Sequence, residues 1–189
     1  MVERQLPKLN MRVRFPSSAP KPSKISVFEG CFFRRTDDGN FFVRRAVADA
    51  ADRVLFLTMS REFYASPAVL HDVDAAFHER TFDEMMRSDA YAEGFLLSYD
   101  GVDCGFGLLS KTFSREAGGM VVWLEELYIR PAYRGKGLGS FFFRFVEENR
   151  PAARYRLEVE PENTNAVRLY ERLGYTALPY AQMIKEKKR

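Results

Sequence analysis

The sequence predicts an α/β domain: a mixed central sheet of six to seven strands with four helices packed on it. Two observations carry that expectation. Short apolar runs bounded by turn residues alternate with stretches of 3.6-residue period, in the order β-α-α-β-β-β-α-β-α-β. The run MVVWLEELYI (120–129) is apolar on both faces, as a buried central strand requires.

Order is expected to begin near Phe41, where FFVRRAV reads as a strand. Asp49 can N-cap a helix with Ala50, Val54 and Leu57 on its apolar positions, broken at Pro67. VDAAFHERTFDEMMRS (73–88) reads as a second, less regular helix. GFLLSYDGVDCGFGLLSKTF is a hairpin around Asp100-Gly101, a dipeptide suited to a type I′ turn. A turn over 114–119 leads into the 120–129 strand. A third helix runs to about Asn149, and RYRLEVE (154–160) is the next strand. Asn163 to Leu173 forms the last helix, ended by Gly174. YTALPYAQMIKE closes with one or two short strands.

At 189 residues, 46% apolar and 29% charged, the chain suits one soluble domain. No apolar run approaches the roughly 20 residues of a membrane span. Cys31 and Cys104, 73 positions apart, match no metal or redox spacing and read as reduced thiols in a cytoplasmic protein. His71 and His78 have no cysteine pair beside them, so no metal site is expected.

The net charge of +3 is unevenly spread. Residues 1–24 carry +5 and residues 185–189 carry +3, which leaves −5 on the body and no nucleic-acid face there. Residues 1–24 also hold four prolines and no sustained period. Residues 1–40 are therefore assigned to a disordered, basic arm and 41–187 to the domain. The arm's composition also suits a transit peptide, although its prolines spoil an amphipathic helix. It further resembles the chance translation of a tRNA gene, which would make it an over-extended start.

The stretch RPAYRGKGLGSFFFRFVEE (130–148) carries the chemistry. Leu138, Phe141, Phe142, Phe145 and Val146 fall on one helical face, which places the glycines at a helix N-terminus shortly after a buried strand. Such a turn offers unpaired N–H donors and the positive end of a dipole to a phosphate, and Arg134 and Lys136 add charge. No GxxxxGK[ST] string exists. A dinucleotide fingerprint, with Glu158 or Glu160 as its ribose acid, would need a tighter strand-to-glycine spacing than this chain has.

Arg134, Gly137 and Gly139 instead meet R-x-x-G-x-G, which resembles the pyrophosphate loop of the GNAT superfamily of N-acetyltransferases. Two more strings match in order and spacing: LEELYIRPAYRG, and ENTNAVRLYERLGY with Asn163, Ala166, Leu169, Tyr170, Gly174 and Tyr175. The resemblance covers about 41–187.

It implies a fold whose fourth and fifth strands splay apart, and acetyl-CoA as co-substrate. Arg134, Gly135, Lys136, Gly137, Leu138, Gly139 and Ser140 would hold the pyrophosphate. The backbone of Leu127, Tyr128 and Ile129 would pair with pantetheine and point an N–H at the thioester carbonyl. Glu125 or Glu126 would remove the amine proton. Diamine acetyltransferases carry a similar pair, the first proposed as base, which favours Glu125. Strand alternation sends the two to opposite faces unless a bulge resets it.

Tyr170 would return a proton to the thiolate, and Asn163 would bond the coenzyme or cap its helix. The clustered phenylalanines read as core. The acceptor would meet Phe63, Tyr64, Ser66 and His71. A non-catalytic acyl-CoA sensor is the rival of a different class, and an enzyme taken to tRNA or ribosomal targets by its basic ends is another. No membrane partner is expected, and a homodimer is left open.

Overall fold

The computed structural model describes residues 26–28, 31–36, 39–69 and 73–186. Order starts earlier than Phe41. Strand β2 (Cys31–Thr36) pairs along its whole length with β3 (Gly39–Arg45), and β1 (Ser26–Phe28) pairs with β2 in turn. The reason lies in Phe32, which is 3% exposed and packs on the rings of Phe141 at 5.5 Å and Phe145 at 5.2 Å. The assigned arm therefore loses these strands to the domain, and residues 1–25 lie outside the described ones.

Helices α1 (Ala50–Tyr64) and α2 (Ala75–Arg87) follow, capped by the side chains of Asp49 and Asp74. The strands β4 (Ala92–Tyr99) and β5 (Val102–Ser114) form the expected hairpin. Asp100 and Gly101 take φ of 48° and 81°, positive at both central residues as a type I′ turn demands. Then come β6 (Gly119–Ile129), a 3₁₀ turn (Pro131–Tyr133), α3 (Leu138–Asn149), β7 (Arg154–Leu157) and α4 (Thr164–Arg172).

The seven strands lie in sequence order in one mixed sheet, antiparallel throughout except for the parallel pair β6–β7. That pair joins only Val121–Leu124 to Arg154–Leu157, while β6 runs on to Ile129. The fourth and fifth predicted strands thus part midway, and Glu125–Ile129 have no strand partner on that side. Strand β7 is shorter than the 154–160 run suggests. Residues 175–186 form no strand either, and Tyr180, Met183 and Ile184 in that segment are exposed. Beyond Tyr175, which packs on Phe143, residues 176–186 are all exposed, so no buried face holds the segment in a sheet.

Two cores sandwich the sheet. On one face α3 buries Leu138, Phe141, Phe142, Phe143, Phe145 and Val146 against β2–β6, each phenylalanine contributing about 1.5–3 kcal/mol. Gly107 makes room for this: a Cβ there would run into the Phe142 ring. On the other face α1 and α2 pack Phe56, Met59, Phe82 and Met85 on Leu96, Phe106, Leu108 and Tyr128.

Candidate functional site

The site forms where β6 leaves β7. Strand β5 pairs with β6 so that Leu108 lies opposite Glu126 and Leu109 opposite Leu124, which leaves Glu125 without an opposite number. This is a β-bulge, and it re-aims the side chains beyond it. Both acids consequently meet partners on the α1/α2 side. Glu125 is exposed and accepts a 2.5 Å hydrogen bond from the Ser110 hydroxyl. Glu126 is half-buried and accepts a 2.8 Å bond from the hydroxyl of Tyr64 at the end of α1.

Burial dominates the chemistry of Glu126. Loss of hydration pushes its carboxyl up, the Tyr64 bond pulls it back, and the neighbouring Glu125 charge adds to the rise; it settles at about 7. The Tyr64 phenol is pushed up as well, first by burial and then by the Glu126 charge.

Helix α1 is anchored so that Tyr64 reaches this position. Glu62 holds Arg130 in a two-pronged ion pair of 2.9 and 2.8 Å, and the same guanidinium donates to the Asp103 carbonyl at 3.2 Å. His78 of α2 shares a 2.8 Å hydrogen bond with Ser60, and its ring meets Tyr64 edge-on at 5.1 Å.

A cleft of about 1050 Å³ brings together Phe63, Tyr64, Glu125, Glu126, Leu127, Asn163 and Tyr170 of the predicted residues. Phe63 also packs into the core, 6.2 Å from Phe106 and 6.0 Å from Tyr128. Tyr170 lies on Phe143 at 5.3 Å and Tyr175 at 6.2 Å, and burial pushes its phenol up. Asn163 N-caps α4 through Ala166 N–H at 3.3 Å. Gly174, at φ 90°, closes that helix, where the Tyr175 N–H returns to the Tyr170 carbonyl. His71 lies outside the described residues.

The glycine loop stands apart from the cleft lining. Gly135 and Gly137 take φ of 76° and 92°, backbone that side chains resist, and Gly137 caps α3. The first turn, Leu138 to Ser140, offers N–H groups that have no helical carbonyl to bond. Nothing lies within 4 Å of a Cβ built on Gly135, and Gly137 would meet only the Phe41 ring at 4.0 Å. An anionic group can therefore approach the loop's backbone, so the residues present fit a pyrophosphate. Gly139 differs: its Cβ would press on Leu169 at 3.2 Å, so that glycine serves the packing of α3 on α4.

The two loop cations flank this surface. Arg134 bonds the Ile129 carbonyl at 2.8 Å and Lys136 sits 5.0 Å from the Tyr99 ring. Among the described residues no cluster of three metal-ligating side chains occurs. Sequence reasoning missed Ser110, the Glu62–Arg130 pair, and Arg156, which lies on Trp123. Only the last had a signal, the alternation of RYRL that sets Arg154 and Arg156 opposite Tyr155 and Leu157.

The acetyltransferase (GNAT) family model matches residues 56–175. Thialysine N-epsilon-acetyltransferase of Sus scrofa is 36% identical over 81 residues, 41% of this chain and 47% of that protein. L-methionine sulfoximine/L-methionine sulfone acetyltransferase of Salmonella typhimurium is 31% identical over 120 residues, 58% of this chain and 68% of that protein. The match to the first of these thus spans about half of its length. Among solved structures, a possible acetyltransferase from Clostridium difficile 630 superposes with a TM-score of 0.66 at 17% identity, over 79% of this chain and 99% of that one. Aminoglycoside acetyltransferase AAC(6′)-Iy, in complex with a bisubstrate analogue, gives 0.60 at 20% identity, over 79% and 98%. At those identities the likeness is one of fold.

Proposed function

Because the chain belongs to the GNAT acetyltransferase family, we propose that it moves an acetyl group from acetyl-CoA to a primary amine by direct attack in a ternary complex. The observation that carries this reading is Glu126: a half-buried carboxyl at about 7, bonded to Tyr64, in the cleft where β6 parts from β7. A base needs a pKa near the working pH, and burial supplies it here.

The thioester of acetyl-CoA supplies the electrophilic carbonyl. Its pyrophosphate is held by the backbone of Gly135–Ser140 with Arg134 and Lys136, and the unpaired edge of Leu127–Ile129 aligns its pantetheine arm. Glu126 takes a proton from the acceptor ammonium and so frees the nitrogen lone pair. A β6 N–H faces the oxygen on which negative charge develops. Tyr170, in the same cleft, returns a proton to the departing sulfur. Glu125, exposed and bonded to Ser110, lies nearer solvent and helps to set the charge of the acceptor's surroundings.

The two relatives named above act on thialysine and on L-methionine sulfoximine or sulfone. Each is an amine, which supports an amine acceptor here. The test is a panel of primary amines with acetyl-CoA, followed by free-thiol release. Amine-dependent release is the expected result. Tight acetyl-CoA binding without release on any amine would defeat the catalytic reading.

A further inference from the structure

Trp123 and Arg156 face each other across β6 and β7 in the short stretch where those strands pair. The Arg156 guanidinium carbon lies 4.1 Å from the centre of the Trp123 ring, closer than any other cation over a ring among the described residues, the next being 5.0 Å. Stacking of this kind fixes the guanidinium plane and leaves its in-plane N–H donors free for an anion.

No protein anion takes them. Arg154, two residues earlier, is paired with Glu116 at 2.9 Å, whereas Arg156 forms no ion pair among the described residues. Yet Arg156 lines the same cleft as Tyr64, Glu125 and Glu126. Trp123 precedes those acids on β6, and the bulge at Glu125 brings both acids to the α1/α2 side, which Trp123 also faces. A pre-oriented cation therefore lines the same cleft as Glu126.

The geometry points to Arg156 as the receptor for a carboxylate on the acceptor, which makes that acceptor an ω-amino acid of the lysine type. This rests on the acetyl-transfer reading given above. Trp123 and Glu126 stand three positions apart on β6, so at about 3.3 Å per residue, shortened by the bulge, the ring that carries the guanidinium and the carboxyl are rooted roughly 7–10 Å apart along the strand. The α-amine and carboxylate of an amino acid share one carbon and cannot reach both. A terminal amine separated from the carboxylate by four or five methylene-length carbons can. A diamine would set its second ammonium against the guanidinium, a like-charge contact that costs affinity.

The experiment uses the full chain, acetyl-CoA and thiol release, with three acceptors: L-lysine, 6-aminohexanoate and cadaverine, which has no carboxylate. The expected result is a kcat/KM for the two carboxylates at least tenfold above that for cadaverine. In Arg156→Gln the preference falls to about unity, through KM, with acetyl-CoA affinity and melting temperature kept; Arg156→Lys retains part of it. Cadaverine equal to the carboxylates in the wild type overturns the inference, as does a substitution that lowers all three alike. If none of the three is acetylated while calorimetry shows acetyl-CoA bound and another amine of the wider panel releases thiol, this inference falls and the acetyl-transfer reading stands. Failure to bind acetyl-CoA would remove both.

Discussion

The Tyr64 hydroxyl, at the end of α1, donates a 2.8 Å hydrogen bond to Glu126 Oε1, 62 residues further along the chain. The bond joins the helix layer to the point where the sheet opens, and it sets two opposed influences on one carboxyl. Burial favours the protonated form of Glu126 and the phenol favours the ionised one. The balance, at about 7, leaves the group able both to accept a proton and to lose it near neutrality.

If Glu126 is the base, Glu126→Gln should lower kcat by roughly 10²–10⁴, the usual worth of a positioned general base. Glu125→Gln should cost only a few-fold, because that acid is exposed and bonded to Ser110. The comparison is made at saturating acetyl-CoA and acceptor. The reverse ranking would move the role to Glu125.

The pH profile follows from the same balance. Activity needs ionised Glu126, so kcat/KM should rise with pH through about 7. Tyr64→Phe removes the interaction that pulls this pKa down, so the rising limb should move to higher pH, with the largest loss of rate on the acid side. A loss of equal size at every pH would make Tyr64 a packing residue only.

Stability should carry the opposite pH sign. The folded-state pKa of Glu126 lies above the ordinary value of 4.5, so between about 4.5 and 7 the native state binds more protons than the unfolded state. Its contribution is fully present below that window and is lost as pH rises through it. Denaturant unfolding of wild type and Glu126→Gln across that range should therefore show the mutant gaining on the wild type as pH rises. A constant difference would mean that the carboxyl titrates normally.

Much of this was legible in the sequence, and the failures have physical causes. The α3 stripe, the Asp100-Gly101 turn and the Asn163 and Gly174 caps are local signals that tertiary contacts do not overturn. Strand β2 was grouped with the proline-rich residues before it, because its place depends on Phe32 reaching α3, a contact distant in sequence. The expected strands after Gly174 failed for the converse reason, since the apolar side chains beyond Tyr175 meet no partner surface. That Glu125 and Glu126 both meet partners on one side of the sheet needed the bulge, and a bulge is a property of two strands together. Arg156 showed only as one letter of an alternating run until Trp123 was found beneath it.

Gly137→Asp tests the loop. The position has φ of 92°, where any side chain is strained, and a carboxylate there would stand at the helix N-terminus in place of the pyrophosphate. Acetyl-CoA affinity should fall tenfold or more by calorimetry, with the fold retained by far-UV circular dichroism and the melting temperature a few degrees lower. An unchanged affinity would take the pyrophosphate away from this loop.

Tyr170→Phe separates chemistry from packing. The side chain is half-buried against Phe143 and Tyr175, and its hydroxyl makes no hydrogen bond to a described residue. Loss of that oxygen therefore breaks no bond within the fold, and the ring contacts remain, so stability should change little. Acetyl-CoA affinity should stay within a few-fold, since the loop supplies most of it. If the hydroxyl returns a proton to the sulfur, kcat at saturating acetyl-CoA should nonetheless drop by roughly 10²–10⁴. The loss should ease for thioesters whose thiol has a lower pKa, because a better leaving group needs less protonation. A variant with near-full kcat would pass the proton to water and leave Tyr170 as a wall of the cleft.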